Sequence, residues 1–504
     1  MMFLMTFMKR CLIVGLAWAW MTGWPFPAFA QNLTYSPTPS NPVGRAPQAI
    51  TTGDFNGDGQ WDVATVNGTS DDVSVLLGNG NGTFRSAVSF GVGKIPLALV
   101  AAEMDGDGLL DLVLALSGSD QVVVLKGEGT GLFQKLASQR AGKGTTFLAV
   151  RDVNGDGWSD VVAVNSGRFG YYPPFDLAVL FNDGKGGLQA PITYEQDGRD
   201  GMFPTGVLVE DMTGDGKPDL AVAWSQPSWR SPNGLVSILK NTGDGTFVLE
   251  KELKPGFTLS AIQGVDLNHD GFMDLAVTSL FSDTVRILLQ REGGTFTELD
   301  PIKVGFAPVG ITFRDFDGDQ QMDMVVVNRD SNSLSILLGN GAGLFTSAGH
   351  FGVGATPSAV AVEDFDQDQF PDLATASTNV DGVSVLLSGG GAIPLPSLST
   401  DVLVFESESS QQTPSSFSHQ MVRLSNIGLG LLKIVGVGIT GKEADAFSVS
   451  DNTCADVTLH TGDSCTLQVG FAPHDQGIHH ATLMIQDNAS GSPRHVELKG
   501  LVKG

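Results

Sequence analysis

Oxygen-bearing side chains recur along this chain at spacings suited to holding a hard cation. Asp54, Asn56, Asp58 and Asp62 stand at positions 1, 3, 5 and 9 of a nine-residue loop, with Gly59 at position 6. Six more loops repeat the pattern. Glu103, Asp105, Asp107 and Asp111 form the second, and Asp152, Asn154, Asp156 and Asp160 the third. Asp211, Thr213, Asp215 and Asp219 make the fourth, and Asp266, Asn268, Asp270 and Asp274 the fifth. The sixth (Asp315, Asp317, Asp319, Asp323) and the seventh (Asp364, Asp366, Asp368, Asp372) are wholly aspartate.

Ca2+ takes about six to eight oxygens in flexible geometry. The four side chains of a loop, the backbone carbonyl at position 7 and water supply that number. Position 7 is Gln60, Leu109, Trp158, Lys217, Phe272, Gln321 or Phe370 in successive copies. Up to seven Ca2+ ions are therefore expected, as standing structural components. The loop is not an EF-hand, because Thr65 and Ala163 stand where its closing glutamate would fall. Taken singly, a loop also reads as an Asx-turn whose carboxylates cap backbone amides. Gly59, Gly157 and Gly271 suit the tight turn, whereas Gln320 and Gln369 occupy that place at greater conformational cost.

Charge and composition narrow the function. The chain carries a net charge of −26, and the loops alone supply 24 carboxylates at the four positions. Bound divalent ions would halve the excess, and no basic stripe for nucleic acid exists. Catalytic groups are scarce, and none is assigned. Residues 31–391 contain only two histidines, His269 and His350, and His269 is inside the fifth loop. Nucleophile elbow, HExxH and phosphate loop are missing.

The loops open at intervals of 49, 49, 59, 55, 49 and 49 residues, so a repeated structural unit must position them. Each unit has an apolar run before the loop, another after it, a third such as Val73–Leu77, then a glycine turn closed by an aromatic, as in Gly82-Thr83-Phe84. A fourth, weaker strand follows. Four short strands per unit make a propeller blade, and seven units make a seven-bladed ring. The seventh unit stops after its third strand, while a surplus strand-like piece, Asn32–Ser36, precedes the first. That piece is expected to complete the last blade and close the ring.

The flanks differ. Residues 1–30 read as a signal peptide: Lys9 and Arg10, an apolar run from Cys11, and Ala28-Phe29-Ala30 for cleavage. An uncleaved anchor is the alternative, opposed by Pro25 and Pro27; no second stretch is long enough to span a bilayer. Export to the periplasm, surface or medium follows. Cys454 and Cys465 are then the remaining cysteines, expected as a disulfide rather than a reactive thiol. Residues 31–391 are assigned to the propeller, 392–400 to a linker and 401–504 to a β-sandwich with alternating strands.

Two intervals break the beat through insertions in blades three and four. They carry Arg168, Tyr171 and Tyr172, then Trp229 and Arg230, and a lengthened connection between the blades holds Tyr194 and Arg199. These three loops converge on the face opposite the acidic loops. Aromatics beside arginines suit sugar rings or a protein hot spot; mutual packing of the loops is the bland alternative.

The loops and flanks such as Gly53-Asp54-Phe55-Asn56-Gly57-Asp58-Gly59 resemble FG-GAP/VCBS repeats, over residues 31–391. Such repeats build the seven-bladed propellers of integrin α-subunits and of many bacterial exported proteins. The tail, through Gly462-Asp463-Ser464-Cys465, Phe471-Ala472-Pro473 and Leu498-Lys499-Gly500, is similar to the immunoglobulin-like modules of choice-of-anchor D surface proteins. An all-β chain results: a seven-bladed β-propeller, then an immunoglobulin-like sandwich. The expected role is that of an exported, calcium-stabilised binding or adhesion protein for a carbohydrate or extracellular protein. A polysaccharide lyase or hydrolase using Arg168, Tyr171 and Tyr172, or an envelope assembly scaffold, is the alternative. The oligomeric state is left open.

Overall fold

β-Branched runs punctuated by glycine and aspartate become short antiparallel strands throughout. The computed structural model describes residues 33–167, 176–195, 202–226, 234–256, 258–388, 396–400, 402–407, 418–426, 432–459, 463–487 and 492–502. The leader at 1–30 lies outside the described residues, as do Arg168, Tyr171, Tyr172, Arg199, Trp229 and Arg230.

Before residue 389, seven separate sheets of four or five strands stand one after another. Blade one is Pro47–Gly53, Asp62–Asn67, Asp72–Leu76 and Val88–Gly91, in spatial as in sequence order. The first strand of each blade packs on the first strand of the next. The last, Pro357–Glu363, packs on Pro47–Gly53, so the ring is closed. Closure also uses the N-terminus. Tyr35–Pro37 pairs with Gly382–Ser388 as the fourth strand of blade seven, with Tyr35 opposite Ser388. The expected closing strand is present, a few residues later than the sequence places it.

The core is divided into seven wedges, each filled by the facing sides of two adjacent blades. A second strand such as Asp111–Leu116 is covered on both faces and buried at every residue. That explains its unbroken apolar sequence, since alternation needs one face in water.

Residues from Pro396 form two sheets around a separate core containing Phe405, Phe447 and Phe471. Pro396–Leu398 pairs with Ser418–Asn426. The sandwich therefore begins inside the segment assigned to a linker; proline at a strand's start removes no needed ladder donor. Val402–Ser407 runs parallel to Arg494–Val502, and Cys454 is bonded to Cys465.

Candidate metal centres

Each acidic loop joins the first and second strands of its blade. Position 1 organises the turn: Asp54 accepts N–H bonds from Gly57 at 2.7 Å and Gly59 at 2.9 Å. Asp315 does the same for Gly318 and Gln320. These are Asx-turn bonds, and they aim the carboxylate into the loop while leaving lone pairs on its oxygens. Positions 4 and 6 both take left-handed backbone, with φ of 76° at Gly57 and 78° at Gly59. Gln320 and Gln369 adopt it too, at 69° and 75°. Position 4, a further left-handed site held by His269 and Gln367 in loops five and seven, escapes the sequence reading.

Position 5 bends onto position 7, where the Gln60 N–H meets Asp58 at 2.9 Å. Position 9 braces the whole loop. All seven of these aspartates are fully buried. Each accepts the position-2 N–H on one oxygen, as Phe55 to Asp62 at 2.9 Å. The other oxygen accepts an N–H from the end of the third strand, as Gly78 to Asp62 at 2.8 Å. Position 2 was not singled out in the sequence, though Phe55, Met104, Val153, Met212, Leu267, Phe316 and Phe365 are apolar throughout. Each is buried in the wedge between its own blade and a neighbour. The loop is thus pinned by an apolar plug and a buried carboxylate.

In three copies position 3 is also acidic, and there Glu103/Asp105/Asp111, Asp315/Asp317/Asp323 and Asp364/Asp366/Asp372 bring carboxylate oxygens within 4.8 Å of one another. In the other four, Asn56, Asn154, Thr213 and Asn268 hold that position as neutral oxygen donors. The electrostatics favour a cation. Burial, opposed in part by the amide bonds and reinforced by like-charged neighbours, pushes Asp62, Asp160 and Asp274 up to about 6. Burial likewise pushes Asp323 and Asp372 up to about 7. Oxygen-only donors with crowded negative charge fit a hard divalent ion. Loop two differs. Lys126 pairs with Asp105 and Asp107 there, and its ammonium helps hold Asp107 below the usual carboxylate range.

The face opposite the acidic loops carries a second set of unforeseen residues. Asp71, Asp120, Asp283, Asn332 and Asp381 each stand 17 residues after a loop start. From the turn between strands two and three, each accepts the N–H just before the next blade: Ile95, Gly144, Ala307, Thr356 and Ala46. The bond from Ala46 to Asp381 at 2.8 Å closes the circle. The fixed offset was the available signal. In blades three and four the same offset falls on Phe169 and Ser228, outside the described residues.

Of the residues expected to bind a ligand, Tyr194 alone is described. Its ring packs in the wedge between blades three and four, 6.0 Å from Phe247, and its hydroxyl accepts the Phe247 N–H at 3.3 Å. The structure gives it a place in blade packing.

Similar solved structures include BBS1N in complex with ARL6DN, soaked with lead, at 8% identity and a TM-score of 0.48, covering 71% of this chain and 97% of that one. A protein from Lactobacillus plantarum shows 14% identity and 0.47, covering 63% and 88%. A functionally unknown protein from Desulfotomaculum acetoxidans shows 15% and 0.44, covering 64% and 90%. No curated protein matches. The family model of the FG-GAP-like repeat matches residues 54–114, 152–222, 211–277, 266–326 and 315–375. Each match opens on position 1 of one acidic loop and runs past position 9 of the next, so the five together include all seven loops. They extend over more than half of the sequence, and the chain belongs to the FG-GAP-like repeat family.

Proposed function

We propose that this is an exported binding or adhesion protein whose propeller is fastened by calcium in its acidic loops. The observation that carries the metal reading is the convergence of position 1, 3 and 9 carboxylates within 4.8 Å around a buried aspartate, Asp323 in loop six and Asp372 in loop seven. Asp54, Asn56, Asp58 and Asp62, with their counterparts, would hold the ion; it would neutralise charge that burial makes costly. Each loop is pinned between two blades, so the ion's role is to stiffen the ring. Export is supported by the Cys454–Cys465 disulfide, and among the described residues no helix is long and apolar enough to cross a membrane.

The ligand is proposed to be a carbohydrate or an extracellular protein, bound by the inserted loops of blades three and four. Metal analysis of the purified protein and thermal unfolding with and without chelator test the calcium reading. Bound calcium and a fall in Tm on chelation are expected; no metal and an unchanged Tm would overturn it. Glycan and protein arrays probed with wild type and Tyr172→Ala/Trp229→Ala test the ligand reading. Binding lost in the variant supports it, whereas turnover of a polysaccharide would replace a binder with an enzyme.

A further inference from the structure

The residue 15 positions after the last aspartate of loops one, two, five, six and seven lies near the end of the third strand. It is Leu77, Leu289, Leu338 and Leu387 in four of these blades, and Lys126 in blade two. In blades three and four, whose insertions lengthen the offset to 21, Phe181 and Lys240 occupy it. The equivalence is structural: Lys126 stands opposite Gln134 next to the Gly127–Phe133 pair, as Leu338 stands opposite Thr346 next to Gly339–Phe345.

Where five of the blades present a hydrocarbon, the Lys126 ammonium enters the acidic loop. It donates to Asp105 at position 3 and lies 2.8 Å from Asp107 at position 5. Both carboxylates belong to the expected ligand set, and Asp105 converges with Glu103 and Asp111. Loop two is also the copy that opens on glutamate. Lys240 reaches Asp215, position 5 of loop four, at 3.2 Å, and that loop has the neutral Thr213 at position 3. The two lysines thus coincide with the two loops that depart furthest from the shared ligand pattern. Arg85 and Arg291 approach Asp58 and Asp270 no closer than 3.9 and 3.7 Å, from other positions.

We propose that Lys126 is the built-in cation of loop two, occupying the place a divalent ion takes elsewhere, and that Lys240 plays the lesser counterpart in loop four. An ammonium held by Asp105 and Asp107 takes up two of the carboxylates a dication would need, and at that range their like charges repel. Blade two is therefore a metal-independent member of a ring in which the loops without a lysine depend on metal. The inference rests on the calcium reading for those other loops.

The test compares the full chain with Lys126→Leu, Lys126→Arg and Leu338→Lys, measuring calcium per chain by equilibrium dialysis and Tm in chelator. Lys126→Leu is expected to bind one more ion than wild type and to melt lower in chelator, with calcium restoring the loss. Lys126→Arg keeps the wild-type stoichiometry, and Leu338→Lys binds one ion fewer. A folded Lys126→Leu protein with unchanged stoichiometry would overturn the proposal. If that variant does not fold, Leu338→Lys decides, and unchanged binding in it counts against. If wild type binds no calcium, the metal reading fails separately. The chelator arm then judges Lys126: equal stability of the leucine and wild-type proteins overturns its role, and a loss repaired by arginine sustains it.

Discussion

At the scale of single residues, buried carboxylates decide how the protein answers to pH. Asp323 and Asp372 are pushed up to about 7 by burial, and Asp62, Asp160 and Asp274 to about 6. In the unfolded chain they return to the ordinary aspartate value near ~4. Between those values the folded state binds more protons than the unfolded one, so ion-free stability falls as pH rises. Asp244, held down to about 2 by the Thr246 and Thr242 hydroxyls, acts only below that window. In chelator, Tm is expected to be higher at a pH of about 5 than of about 7.5. Saturating calcium reverses the order, because the ion needs ionised ligands. Thermal scans across this range check the sign; an ion-free Tm that climbs toward neutral pH would contradict it. A second prediction concerns backbone strain. Gln369 takes φ of 75° in an exposed turn. Gln369→Gly is expected to stabilise the fold by about 0.5–1 kcal/mol, measured by denaturant unfolding, since left-handed backbone costs other residues roughly 1–2 kcal/mol.

Elements are joined by two sets of fasteners, one on each face. On one face, position 2 plugs a wedge of core and position 9 ties the loop to the third strand. On the other, aspartates 17 residues after the loop start latch onto the next blade. Asp381→Ala removes the acceptor of the Ala46 N–H and places alanine at a φ of 47°. A loss of about 1–2 kcal/mol is expected. Asp381→Asn should be nearly neutral, because Asn332 already performs this task for Thr356. Equal stability of the alanine and asparagine variants would show the latch to be idle. The five latches share a left-handed backbone, with φ from 47° to 61°. Asp and Asn tolerate that conformation better than most residues, which explains why they recur there.

For the whole molecule, stability depends on joining the two ends of the ring. Tyr35–Pro37 covers Gly382–Ser388, and Asn41 pairs with Val383 on the same strand. Removing residues 31–42 would leave that strand an open edge, able to pair with another chain. The truncated protein is expected to melt lower and to self-associate, read by light scattering. A monomer with unchanged Tm would mean that closure rests on first-strand packing alone.

The sequence by itself determined the repeat, the acidic loops and the need for a closing strand. Spacing and apolar runs are local properties, and each of seven copies repeats the evidence of the others. It also contained the position-2 plugs and the 17-residue offset, yet their meaning depends on which chain segments meet. Asp381 and Ala46 are 335 residues apart, so no local pattern pairs them. Pro396–Leu398 looked like a stiff linker because a three-residue strand has too little periodicity to show; its partner, Ser418–Asn426, makes it a strand. Lys126 is the sharpest case. In sequence it ends an apolar strand and looks like an ordinary surface lysine. Only the folded blade carries its ammonium to Asp105 and Asp107, about 20 residues earlier, where tertiary structure sets which cation the loop can hold.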